Sequence, residues 1–439
     1  QENTVKNMIK ILTVNNAMPD IKNYNTLLFE NVFPILKQTT DVHLTWLIVT
    51  PNKIKLPDKQ KSGISILDIH DYHNAVEIIK EINPDLIYVF AGISIPDYSL
   101  AVVGNHFNIP IIGGQLGLPL FSSMKKHSLF KNYLSQFFEN SISSKSITNE
   151  KQSKKRRQFF FYKHKFLLNT LKELGFSRIK IIKEFIFLIR TYLILTKPSE
   201  MNAKFHCVLQ FVESEKAKKY YENNGFDESK LVVVGNPTYD KIFQKIKNSK
   251  LEHKKNKKIQ ILFLTVNFAS QGGNWTKLKR NEMIKKIVTE INKNKDKFDF
   301  NIKIHPTGEN ILEYRSIINN LDPSITIFQE ENILDILEKS DVIVTSSSST
   351  AGICALLLKK PVIIWNFFEA EEDVFIKNDL ALECKKIEEI SSLIDKSILE
   401  NPATPEKMDQ FISEFLYKND GNSAKRIAEL ILKILKYKI

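Results

Sequence analysis

The sequence predicts an α/β chain of two doubly wound parallel sheets, with a basic helical insertion in its first half. Three observations predict it. Short apolar strands alternate with helical segments along most of the chain, the order that builds parallel sheets with right-handed crossovers. Three strands of the second half each run into a polar turn: 298–304 into His305, 341–344 into a run of hydroxyls, and 361–365 into an acidic loop. In the first half, 122–198 breaks the alternation, being basic, aromatic and helical in pattern.

The first domain is expected at 1–247. It opens with an apolar strand at 8–14, followed by a turn that ends on Pro19 and Asp20. A helix at 24–32 stops before Pro34, strands follow at 42–49 and 64–69, and a helix at 75–82 ends at Asn83 and Pro84. The strand at 86–90 leads to a helix at 96–107 and a strand at 109–112; Gly113, Gly114 and Gly117 then read as an ordinary turn. After the insertion come a strand at 207–212, a helix from Glu213 and Ser214 to 223, and a strand at 231–234. The turn Gly235, Asn236, Pro237, Thr238, Tyr239, Asp240 follows; Gly235 permits a sharp bend and Pro237 suits the first turn of a helix. A Lys-rich link at 247–258 marks the domain boundary.

The second domain is expected at 258–439. Its first strand, 259–266, runs into a loop with Asn267, Gln271, Gly272 and Gly273, small enough to wrap a donor's phosphates. A helix at 282–292 precedes the strand in which Phe298, Phe300, Ile302 and Ile304 alternate with polar residues, so that His305 and Pro306 sit where strand becomes loop. The hydroxyl run Thr345, Ser346, Ser347, Ser348, Ser349, Thr350 then opens an apolar helix, 351–358. Free backbone N–H groups and hydroxyls at a helix start face a negative group, so the pattern reads as a phosphate or diphosphate site. Taken singly, the histidine is an ordinary loop residue and the serine run an N-cap; together, at successive strand ends, they point to a site. Glu369, with Glu371 and Glu372, supplies an acid to hold ribose hydroxyls. A short strand at 381–384 and helices at 387–399, 405–416 and 423–435 complete the domain.

Charge is concentrated in the insertion: 123–200 carries 17 Lys and Arg against 5 acids, an excess of +12 beside +13 for the whole chain. That argues against a generally nucleic-acid-coated molecule and for one basic surface. Lys154, Lys155, Arg156 and Arg157 beside Phe159 and Phe160 suit an anionic membrane surface; a solvated face is the plainer reading, and no nucleic-acid motif accompanies them. Cys207, Cys354 and Cys384 are far apart, with neither a disulfide framework nor a zinc pattern, and a reducing, cytoplasmic setting fits. The longest apolar stretch, 181–195, is broken by Lys183, Glu184 and Arg190, so no membrane-spanning helix is expected.

The turn from Gly235 to Asp240, then His305 with Pro306, then the Ser346 to Thr350 run resemble those of the GT-B glycosyltransferases. The likeness is nearest to the bacterial polysialyltransferase, capsule polysaccharide and CDP-glycerol glycerophosphotransferase group. It implies two Rossmann-like domains facing a cleft, the donor nucleotide held by the C-terminal one, and a phosphate bound by His305, Ser347 and Ser348. It further implies an inverting, metal-independent transfer from a nucleotide sugar, with CMP favoured over UDP, to a glycan or lipid-linked acceptor. The sequence also resembles the non-hydrolysing UDP-N-acetylglucosamine 2-epimerases, although Thr345 to Ser349 stand where those carry Asp-Ser-Gly-Gly.

Such a transfer needs a stabilised leaving phosphate and an activated acceptor hydroxyl. Fixed dipoles at His305 and the serines serve the first. For the second, Asp20 and Asp97 are the candidate bases, with His106 behind them, while Asp20 also reads as a helix cap. Lys303, two residues before His305, reads as an added positive charge or a surface ion pair. Two other functions fit parts of the pattern: an epimerase on the same fold, and a non-enzymatic basic module binding membrane or nucleic acid.

Overall fold

The computed structural model describes residues 8–15, 24–55, 63–89, 94–115, 147–194, 207–223, 226–248, 258–266, 277–306, 309–346, 349–366 and 373–436. The chain divides into two compact units, Gln1–Asp240 with Ser413–Ile439, and Lys241–Ile412.

Unit 1 is a parallel sheet of β1 (Ile9–Asn15), β2 (Val42–Ile48), β3 (Ile64–Asp68), β4 (Leu86–Val89), β5 (Ile111–Gln115), β6 (Leu209–Val212) and β7 (Leu231–Val233). Their order is β3-β2-β1-β4-β5-β6-β7, so the winding reverses between β1 and β4. Both faces are covered, which is why these strands read as near-continuous apolar runs. Leu12, Leu47, Ile87 and Ile111 face helices α2 (Ala75–Ile82) and α3 (Ile95–His106) in one core, while Ile11, Leu44, Trp46 and Ile112 face α1 (Tyr24–Thr39) in the other.

Two expectations fail locally. Helix α1 does not stop before Pro34 but runs through it to Thr39, because Val32, Phe33 and Leu36 are buried in the core. A mid-helix proline costs about 3 kcal/mol, and burying each of three large side chains returns roughly 1.5–3. Gly113 and Gly114 form no turn; both lie inside β5, where the Tyr88 hydroxyl crosses Gly114 so closely that a Cβ there would stand 2.2 Å from it.

The insertion is built into unit 1. Its helices α4 (Ile147–Glu173) and α5 (Arg178–Ile194) bury Phe159, Phe166, Leu167, Leu171 and Leu188 against α2 and α3. The Thr170 hydroxyl accepts from Ala75 N at 3.0 Å and the Tyr162 hydroxyl donates to Tyr72 O at 2.9 Å, so α4 caps the start of α2. Phe159 and Phe160, expected to face a membrane, are 8% and 6% exposed and belong to the packing. Lys155 and Arg157 are exposed; the side chains of Lys154 and Arg156 lie outside the described residues.

Unit 2 is a second parallel sheet, of β8 (Ile259–Leu264), β9 (Phe298–Lys303), β10 (Thr326–Phe328), β11 (Val342–Thr345), β12 (Val362–Trp365) and β13 (Leu382–Cys384). The order β10-β9-β8-β11-β12-β13 again reverses once, between β8 and β11. Helices α6 (Lys277–Asn292), α7 (Ile311–Ile318) and α8 (Thr350–Leu357) connect its strands. The final helix, α9 (Ser423–Lys436), was expected in the second domain but belongs to unit 1. Its Ala424, Ile427, Ala428 and Ile431 complete the core around α1.

No described helix is long and apolar enough to cross a membrane.

Candidate functional site

In unit 2 the parallel register sets Leu264 of β8 beside Lys303 of β9, and Phe263 of β8 beside Val344 of β11. The carboxyl ends of β9, β8 and β11 are therefore level. His305 and Ser346 follow strands two spacings apart, about 10 Å. Between β8 and β11 lies the point where the winding reverses, the place in an open α/β sheet where a crevice forms beyond the strand ends. His305, Ser346, Ser349 and Thr350 are half-buried there and Pro306 is exposed.

The serine run divides in use. Ser349 is the N-cap of α8: its backbone is extended and its Oγ accepts from Gly352 N at 3.1 Å. Thr350 begins the helix, and Ser346 follows the buried Thr345. Ser347 and Ser348 lie outside the described residues, as do Asn267, Gln271, Gly272, Gly273 and Glu369.

His305 is held from behind. Its backbone N–H donates to Thr265 Oγ1 at 3.0 Å, one residue past the end of β8. Tyr314 of α7, hydrogen-bonded to the Thr265 side chain, donates to Glu309 Oε2 at 3.0 Å. Arg280 of α6 bridges the acids, its Nη1 to Glu309 at 2.8 Å and its Nη2 to Glu313 at 2.7 Å. The Arg280 and Glu309 side chains are 6% and 1% exposed, so this is a buried ion pair, with Glu309 Oε2 accepting from both Arg280 and Tyr314. Burial, then the charge of Glu309, pushes the Tyr314 hydroxyl up, which keeps it a donor. Arg280 holds Glu313 below the usual carboxylate range. Pattern reasoning missed this group because α6 begins at Lys277, five residues before the apolar periodicity becomes clear. Lys303 is buried, and its ammonium donates to the carbonyls of Gln329 and Ile304.

Asp20 lies outside the described residues. Asp97, in the first turn of α3, is 2% exposed, beside Tyr88 and Cys207, and is enclosed by the core rather than offered to an acceptor. His106 ends α3, which runs back from the carboxyl end of β4 to the start of β5, so it stands on the edge away from the strand ends.

The turn from Gly235 to Asp240 is structural. Asn236 Oδ1 accepts from Thr238 N at 3.0 Å and its Nδ2 donates to Glu213 at 3.2 Å. Asp240 caps α9, accepting from Ser423 N at 3.0 Å and Ala424 N at 2.7 Å. Gly235 has φ +80°, and a Cβ there would meet Ser423 Oγ at 2.5 Å. Pro237 is buried in the 3-10 turn that follows. All three cysteines are free and buried, their thiols pushed up to about 12 by burial, which removes them as nucleophiles. Among the described residues no group of three or more His, Cys, Asp or Glu side chains is placed to hold a metal ion.

Residues 204–432, just over half of the chain, match the family model described as UDP-N-acetylglucosamine 2-epimerase. No curated protein sequence matches the chain. Among solved structures, the UDP-GlcNAc 2-epimerase from Neisseria meningitidis, bound to UDP-GlcNAc, is 14% identical over 97% of this chain and 100% of that one, with a TM-score of 0.50. A putative UDP-N-acetylglucosamine 2-epimerase from Listeria monocytogenes is 14% identical over 98% and 97%, TM-score 0.53. The wall teichoic acid polymerase TagF is 12% identical over 98% and 89%, TM-score 0.54. At these identities the likeness shows the fold: two parallel-sheet α/β domains, as in GT-B epimerase and glycosyltransferase structures.

Proposed function

The chain belongs to the UDP-N-acetylglucosamine 2-epimerase family, and from that premise we propose that it is a nucleotide-sugar enzyme working as a glycosyltransferase, with unit 2 as the donor-binding unit. The observation that carries the reading is the level row of strand ends, which sets His305 and the start of α8 on either side of the reversal point. A helix start and an imidazole at that spacing suit the phosphates of an activated nucleotide, and they stabilise the charge that grows on the leaving phosphate. The transfer is metal-independent in this reading, since those dipoles supply the positive field. The solved structures that share the two-domain fold include one bound to UDP-GlcNAc and one of TagF soaked with CDPG, which supports a nucleotide-activated donor. CMP is favoured over UDP by the polysialyltransferase-like His305 and serine run, and the acceptor is a glycan or a lipid-linked glycan, met at the cytoplasmic membrane face.

Epimerisation of a UDP-sugar is the second reading, favoured by the family match itself. Against it stands the turn after β11, where hydroxyl residues replace the acidic, glycine-rich signature of those enzymes. One assay separates the two: a panel of CMP-, CDP- and UDP-activated donors, each with and without glycan acceptors. The transferase reading predicts nucleotide release that depends on acceptor and falls about 10²-fold in His305→Ala, the loss that follows removal of one charge-stabilising donor. Donor conversion without acceptor supports epimerisation instead, and undiminished turnover by His305→Ala removes the site.

A further inference from the structure

Helix α5 carries two unlike faces. Ile181, Phe185 and Leu188 pack into the core of unit 1, and the Tyr98 hydroxyl donates to Glu184. On the opposite side Ile179, Ile182 and Ile186 are 69%, 57% and 58% exposed. At about 100° per residue these three fall within roughly 60° of arc, a continuous stripe rather than scattered surface apolars. Arg178 lies roughly 40° to one side of the stripe and Lys183 roughly 40° to the other, by the same helical spacing, and both are exposed.

We propose that this face of α5 seats on an anionic lipid surface, with the three isoleucines entering the interface and Arg178 and Lys183 at headgroup level. An apolar strip edged on both sides by cations is the composition of an interfacial helix. The surrounding segment supplies the long-range attraction, because 123–200 holds +12 of the chain's +13. A second copy of the chain fits the face less well: two-fold pairing of one face on itself brings flanking cations toward cations. The proposal also moves the lipid contact from Phe159 and Phe160, which are buried, to a helix whose apolar residues are exposed. It is independent of which reaction unit 2 performs.

The test is co-sedimentation of the full chain with vesicles of phosphatidylcholine alone or mixed with phosphatidylglycerol, at low and high salt. Two variants are compared with the native protein: Ile179→Asn/Ile182→Asn/Ile186→Asn, and Arg178→Gln/Lys183→Gln, each checked for native circular dichroism and melting temperature. The expected result is salt-sensitive binding to the anionic vesicles, reduced about tenfold or more by the isoleucine variant and several-fold by the cation variant. Turnover of soluble substrates should be unchanged by either. Absence of binding to anionic vesicles, or binding that both folded variants retain in full, overturns the proposal. So does a native dimer that the isoleucine variant turns into a monomer, which would assign the face to a second copy.

Discussion

Units 1 and 2 share one topology, with a single reversal of winding between β1 and β4 in the first and between β8 and β11 in the second. They furnish their strand ends differently. In unit 1 several of the described polar side chains at and after the strand ends are buried: Asn15 closes β1, Glu213 follows β6, and Asp97 lies in the first turn of α3. In unit 2 the residues after the strands, His305, Ser346 and Ser349, are half-exposed, and the buried charges lie one layer behind them. The same sheet order can thus store its polar groups as internal scaffolding or present them to a ligand. What decides is whether a second layer, here Thr265, Tyr314, Glu309 and Arg280, takes over the work of holding the loop.

Breaking that second layer should give the largest effect. Arg280→Met leaves Glu309 charged and unpaired in a buried setting and is expected to cost about 3–5 kcal/mol of stability in unit 2. Denaturant unfolding would measure it, and a loss under about 1 kcal/mol would show that the pair is only an exposed-type bridge. Thr265→Val removes the acceptor for the His305 N–H and is expected to cost about 1 kcal/mol, with turnover reduced and Thr265→Ser restoring both. The matching change in unit 1, Asp97→Asn, should leave kcat within about twofold; a fall of about 10²-fold would return Asp97 to the role of general base. The smallest effect concerns acid. Glu313 is held below its ordinary range by Arg280, so its contribution is present above the unfolded carboxylate pKa and lost as pH falls through the lower folded value. Melting curves of Glu313→Gln should therefore differ from the native protein at neutral pH and converge with it in acid.

Much of this architecture was readable from residue pattern. The two-sheet class and most strands followed from apolar runs bounded by turn residues, because strands buried on both faces leave that signature. His305 and the serine run stood out because their residue types change abruptly at strand ends. Other features left no local trace. Strand β10, an edge strand of three residues, was not read from the pattern, although the three-residue β7 and β13 were. The place of α9 in unit 1 depends on Asp240 capping it across 183 positions of sequence, which no window can see. Phe159 and Phe160 sit next to Lys and Arg in sequence, yet helix geometry sends the rings inward and the exposed charges outward. Asp97 could be placed on the right helix, but its burial depends on side chains arriving from β4 and from Cys207.

The central claim is that the strand ends of unit 2 grip the phosphates of an activated nucleotide. Its most direct test is the melting temperature of the native chain and of His305→Ala with CMP, CDP, UMP, UDP and GDP at about a hundredfold excess over the dissociation constant, where a single site adds about 2.7 kcal/mol. The account predicts a clear rise with at least one of these nucleotides in the native chain and a much smaller one in His305→Ala. Equal rises in both proteins, or none in the native chain, would contradict it.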